Sequence, residues 1–114
     1  MYVGALDPVS NRATWIALYE LRDDDTDELI DLSSVDEITI QVSDNRKSMQ
    51  LSATLSGGSV EIVDTGVFKW TFTASQMSTL SAARTYEVGC VLEGEGEKLQ
   101  LIIGTLPVLD GVVR

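Results

Sequence analysis

Glu37-Ile38-Thr39-Ile40-Gln41-Val42-Ser43-Asp44 decides the fold class, because Ile38, Ile40 and Val42 alternate strictly with polar partners. A period of two puts successive side chains on opposite faces of an extended chain, so this stretch reads as a strand with one buried and one solvated face. Half-buried strands of this kind belong to antiparallel sheets. Downstream, Asp44-Asn45-Arg46-Lys47 has turn chemistry, and Met49, Leu51, Ala53 and Leu55 alternate again until Ser56-Gly57-Gly58 ends the run. The pair predicts a hairpin. Upstream, Trp15, Ala17, Tyr19 and Leu21 share one parity while Ile16 and Leu18 hold the other, a strand over about 13–21. The polar run from Arg22 to Glu28 predicts a loop, and Leu29, Ile30 and Leu32 a short return strand.

The second half repeats the pattern. Val60 and Ile62 mark a short strand, Asp64-Thr65-Gly66 a turn, and Phe68, Trp70 and Phe72 project together from a strand over 67–73 to form the middle of the core. Thr73 or Ser75 is placed to cap one short helical turn near 74–80, its side-chain oxygen accepting an otherwise unpaired backbone N–H. Tyr86, Val88, Cys90 and Leu92 share a parity in the next strand, Glu93-Gly94-Glu95-Gly96-Glu97 is a hairpin tip, and the partner strand spans 98–106. Gly104 lies where the apolar parity of Leu99, Leu101 and Ile103 gives way to Leu106 and Val108, which predicts a bulge there, and Pro107 restricts pairing beyond it. Seven or eight short strands at regular spacing imply an all-β antiparallel sandwich or barrel. The expected organisation is an N-terminal arm over 1–12, one β domain over 13–108 and a C-terminal tail over 109–114.

Composition narrows the function. The 114 residues include 18 Asp or Glu and 8 Lys or Arg, giving 8 − 18 = −10, with 44% hydrophobic and 23% charged residues, an ordinary globular balance for one domain. That charge repels phosphate backbones and anionic lipid heads, and the one adjacent basic pair, Arg46-Lys47, sits in a turn, so neither nucleic acid nor a membrane is an expected partner. Cys90 is the only cysteine, which rules out an intramolecular disulfide and a Cys-based zinc site built from one chain. The first residues lack a basic region followed by an apolar core, so no secretory signal is read there.

Catalysis has little to draw on. With no histidine, no Ser-His or Cys-His pair can activate a nucleophile. A carboxylate pair would need a cleft that a small sandwich rarely has, so the chain reads as a non-enzyme with no cofactor and no metal. Asp23, Asp25 and Asp27 have the alternate spacing that opens a calcium loop, but Glu28 stands where glycine should and Ser34 where glutamate should. A solvated tip whose charges discourage edge pairing is the plainer reading, with a weak cation site as the alternative. Glu93, Glu95 and Glu97 read in the same way. Trp15 with Trp70 or Tyr19 would make a sugar-stacking platform if exposed, but Trp70 lies between Phe68 and Phe72 at period two and reads as core. Cys90 reads as a small buried hydrophobe.

The two ends are more apolar than solvated termini usually are. Either they pack on their own domain and extend its edge strands, or they dock on neighbouring subunits, in which case Tyr2, Val3, Leu6, Val108, Leu109, Val112 and Val113 are the interaction residues.

Taken in order, Trp15-Ile16-Ala17-Leu18-Tyr19, Leu29-Ile30-Asp31-Leu32-Ser33, Ile38 to Asp44, Gly66-Val67-Phe68-Lys69-Trp70-Thr71-Phe72-Thr73, Gln76-Met77-Ser78-Thr79-Leu80 and Thr85-Tyr86-Glu87-Val88 resemble small immunoglobulin-like domains of tailed-phage and prophage virion proteins. The resemblance covers about residues 13–108 and departs from the pattern at Ser33 and Ser34, where a glycine is usual. It implies an immunoglobulin-like β-sandwich of seven to eight strands and a non-enzymatic structural or assembly role in a virion: head decoration, head-fibre base, or a head, tail or baseplate adaptor. The implied partners are other virion proteins, capsid, head-fibre or tail components, in a homo-oligomer or multicopy assembly, after synthesis in the host cytoplasm. Two rival readings are a carbohydrate or cell-surface binding module and an acidic cytoplasmic inhibitor or regulator.

Overall fold

The structure, a computed structural model, describes residues 2–22, 25–33, 35–44, 46, 48–81, 84–94 and 96–109, with Tyr2 and Val3 described by backbone alone. Nine strands among these residues form two packed sheets: β1 (Tyr2–Ala5), β2 (Val9–Ser10), β3 (Trp15–Glu20), β4 (Val35–Ser43), β5 (Met49–Thr54), β6 (Val60–Asp64), β7 (Val67–Phe72), β8 (Arg84–Gly94) and β9 (Glu97–Leu109). The larger sheet runs β1-β9-β8-β4-β5, with β2 also paired to β9, and the smaller runs β3-β7-β6. β1 and β2 lie parallel to β9, and every other pair is antiparallel. This is an immunoglobulin-like sandwich, in which β3, β4, β5, β6, β7, β8 and β9 take the places of strands B, C, C′, D, E, F and G.

The alternation read from the sequence is what closes the core. Ile38, Ile40 and Val42 from β4 pair with Leu92, Cys90 and Val88 of β8, and Phe68, Trp70 and Phe72 face them from β7, all buried. Trp15 adds an edge contact to Trp70, centroids 5.7 Å apart, and a stacked one to Phe72 at 5.8 Å. α1 (Ala74–Met77) bridges the sheets after β7. Its cap is Thr73, whose Oγ1 accepts from Gln76 N at 3.2 Å while Thr73 N donates to Gln76 Oε1 at 2.8 Å, a reciprocal box that satisfies two backbone groups. The turn delivers Met77 and Leu80 into the core.

Three expectations change. The bulge in β9 falls at Leu101, not at Gly104: the register with β8 shifts between Cys90 and Val91, and Leu101 and Ile102 are both buried. Gly104 has a different task, since a Cβ there would lie 2.8 Å from the Gly4 carbonyl oxygen of the adjoining strand β1. Leu29 to Leu32 do not form a strand. Leu29 makes a single bridge to Arg22, Ile30 N donates to Leu21 O at 2.9 Å, and the Asp31 carboxylate then takes Ser33 N and Ser33 Oγ, turning the chain so that Leu32 drops between the sheets. The segment expected as an N-terminal arm supplies β1 and β2, and β9 runs on through Pro107 to Leu109.

Candidate interaction surface

Two features of the outer surface hold groups that a folded monomer leaves uncovered. The first lies on the outward face of the larger sheet. Gln41, Gly89 and Ile103 are neighbours across β4, β8 and β9, and so are Ser43, Glu87 and Thr105 one pair further along. Gly89 has no side chain where the sheet's other outward positions have one, so the face sinks between Ile103 and Gln41 into a depression of about 550 Å³ that reaches Gly4 and Ala5. Ile103 is 51% exposed beside it.

The second is the edge of the smaller sheet formed by β3, beside which no strand pairs among the described residues. Leu21 N donates to Gly66 O, and Thr71 N donates to Ser59 O, which fixes the direction of the ladder bonds on both sides of β7. Because these directions alternate along a strand, Trp15, Ala17 and Tyr19 turn their backbone groups to β7, and Ile16, Leu18 and Glu20 turn theirs to the open edge. The Ile16 and Leu18 side chains are 59% and 65% exposed on the outward face. In the immunoglobulin arrangement strand A covers this edge of strand B. Here the described N-terminal strands lie against β9 instead, and a cleft of about 380 Å³ runs between Leu6 to Val9 and the edge of β3.

Where they are described, the termini serve their own domain. β1 pairs in register with β9 from Tyr2 to Ala5, Leu6 N donates to Thr105 O, Leu6 packs against the core and Val108 is buried within it. Leu109 is exposed, while Val112 and Val113 lie outside the described residues. Sequence reasoning missed the β3 edge because the parity of Ile16 and Leu18 was legible but the absence of a neighbour beside them was not.

The aromatic residues do not make a platform. Trp70 is 3% exposed with its Nε1 buried and unpartnered, Trp15 is packed against it, and the Tyr19 hydroxyl donates to Leu101 O at 3.4 Å. In the acidic loop Arg22 pairs with Glu20 at 3.0 Å and donates to Asp27 O at 2.9 Å, which ties the loop's charge to the end of β3. Asp23 lies outside the described residues, as does Glu95 of the other acidic tip, where Lys98 meets Glu93 at 3.6 Å. Among the described residues no three acidic or cysteine side chains converge as a metal site would require.

Among the described residues Glu37 and Cys90 depart from their ordinary behaviour, and both act within the fold. Hydrogen bonds from Ser56 Oγ at 2.6 Å and Ser56 N at 3.0 Å hold the Glu37 carboxyl below the usual carboxylate range and pin the β5–β6 turn to β4. Burial pushes the Cys90 thiol up to about 12, which removes its nucleophilic form at neutral pH. Neither group lines the depression at Gly89 or the cleft beside β3.

No protein-family model matches the chain. No curated protein matches it either. Among solved structures the fold is similar to a chain described as the catalytic module of the multi-modular glycogen-degrading pneumococcal virulence factor SpuA, at 12% identity and a TM-score of 0.50. The match covers 84% of this chain and 12% of that one, so it bears on the sandwich and not on an activity.

Proposed function

We propose that this chain is a non-enzymatic structural or assembly protein of a tailed-phage virion, a head decoration, head-fibre base or head/tail adaptor that works by protein–protein contact. The observation that carries the reading is the depression at Gly89 and Ile103, a largely apolar hollow in the outward face of the larger sheet, bordered by Gln41, Ser43, Glu87 and Thr105. The order of segments resembling virion domains points the same way. A charge of −10 keeps many copies dispersed during synthesis, and repeated sites on a particle then make modest contacts add up.

Gly89→Arg tests the site without attacking the fold, because a Cβ at Gly89 meets nothing closer than Gln100 Nε2 at 3.6 Å. Particles made without the protein are expected to lose a repeated surface density by electron microscopy. Wild-type protein restores it and Gly89→Arg does not. Particles unchanged in every density overturn the reading.

A further inference from the structure

We propose that the cleft beside β3 is a binding site for a small, uncharged aromatic molecule that carries an amide. The inference goes beyond the virion reading and stands without it, since it rests only on what lines the cleft.

Both walls of the cleft belong to this chain. One is the inward face of β3, where Ala17 stands between Trp15 and Tyr19, and the other is the run Leu6 to Val9. Trp70 also lines it, as the direct neighbour of Ala17 across the β3–β7 pair. Inward residues of a strand are two positions apart, so the small Ala17 leaves a slot between two aromatic side chains, with the indole of Trp70 beside it. A volume of about 380 Å³ lies at the small end of ligand pockets, about 300–1,000 Å³, which suits a ring with one side group rather than a strand of a folded partner.

The polar groups in this lining select the ligand's chemistry. The Trp70 Nε1–H is buried and has no acceptor among the described residues, an unmet desolvation cost that an acceptor oxygen reaching it removes. The backbone N–H and C=O groups of Ile16 and Leu18 turn to the open edge and border the same cleft, so donors and acceptors both await a partner there. Asp7 is the one charged side chain in the lining among the described residues, and it is exposed. An oxygen for Trp70, an N–H for the edge carbonyls and no negative charge beside Asp7 describe an amide and not a carboxylate. A cation would leave the Trp70 N–H unanswered and bury its charge among apolar walls. The aromatic walls favour a flat ring, which stacks on them or meets them edge to face.

Proton–nitrogen NMR of the full chain, titrated with benzamide, tests this. The two tryptophans give two indole signals, and Trp15→Phe assigns the one from Trp70. Benzamide is expected to shift the Trp70 indole N–H and the Ile16 and Leu18 amides along one saturable curve. Toluene keeps the ring without the amide, and benzoate adds a negative charge; each is expected to bind at least about tenfold more weakly, the worth of one net hydrogen bond. Ala17→Leu fills the slot and is expected to abolish the shifts, and the milder Ala17→Val to weaken them, with the signals of the larger sheet unmoved. If neither variant folds, the three ligands on wild type decide alone. A Trp70 indole signal that benzamide leaves in place, toluene or benzoate binding as tightly as benzamide, or shifts that persist unchanged in both folded Ala17 variants overturns the proposal.

Discussion

The Tyr86 hydroxyl oxygen accepts a hydrogen bond from the Ser81 backbone N–H at 2.7 Å. Tyr86 opens strand β8 from a buried position, and Ser81 closes the segment that follows α1, so this bond fastens the crossing from one sheet to the other. It is the tyrosine corner of immunoglobulin-like sandwiches, placed where strand E gives way to strand F. Tyr86→Phe keeps the ring and leaves the Ser81 N–H without its acceptor, which costs about 1–3 kcal/mol. Urea denaturation should show the midpoint falling with little change in slope.

Gly66 turns the chain between β6 and β7 at a φ of +69°, a conformation that side chains rarely adopt. A Cβ there would also stand 2.8 Å from Leu29 Cβ and 2.9 Å from Ile30 O. Gly66→Ala is therefore expected to lose at least about 1–2 kcal/mol from the left-handed backbone alone, with the contact to Leu29 adding to it. Gly58, at φ +88° but with nothing near its missing Cβ, provides the comparison: Gly58→Ala should lose less in the same thermal melts.

Glu37 links stability to pH. Its folded pKa lies below the ordinary 4.5 because Ser56 donates to the ionised form, so the unfolded chain binds that proton more readily. The stabilisation is complete above the ordinary value and is lost as pH falls through the lowered one. Denaturation curves of wild type and Glu37→Gln should differ most near neutrality and converge in acid. Ser56→Ala should shrink the difference.

Cys90 should resist modification. With the thiol buried and its pKa at about 12, alkylation at pH 8 is expected to be negligible in the folded protein and rapid in denaturant. The linkage runs opposite to that of Glu37: because the unfolded thiol ionises first, stability should fall as pH rises from 9.0 towards about 12, and Cys90→Ala should remove that part of the decline.

The residues that carry strict alternation were legible before the structure. Ile38, Ile40 and Val42, and Phe68, Trp70 and Phe72, entered the core as their period dictates, and Thr73 capped α1 through its hydroxyl. What escaped the sequence depends on neighbours. Tyr2 to Ala5 form a strand because β9 offers an edge, with glycine facing glycine at Gly4 and Gly104. Leu29 to Leu32 look like a strand and are not, because Asp31 folds back onto Ser33. The depression at Gly89 needs three strands in register, and the exposure of Ile16 and Leu18 needs a missing fourth strand beside β3. Neither property belongs to a single segment, so neither has a local signal.

The central claim is that the protein is a part of a particle, and quantitative mass spectrometry of purified virions from the strain that encodes it tests this most directly. The account predicts the chain in a fixed, multicopy ratio to the major capsid protein, with Gly89→Arg depleted from particles although soluble in the lysate. Wild-type protein found only in the soluble fraction, with none in the particles, would contradict it.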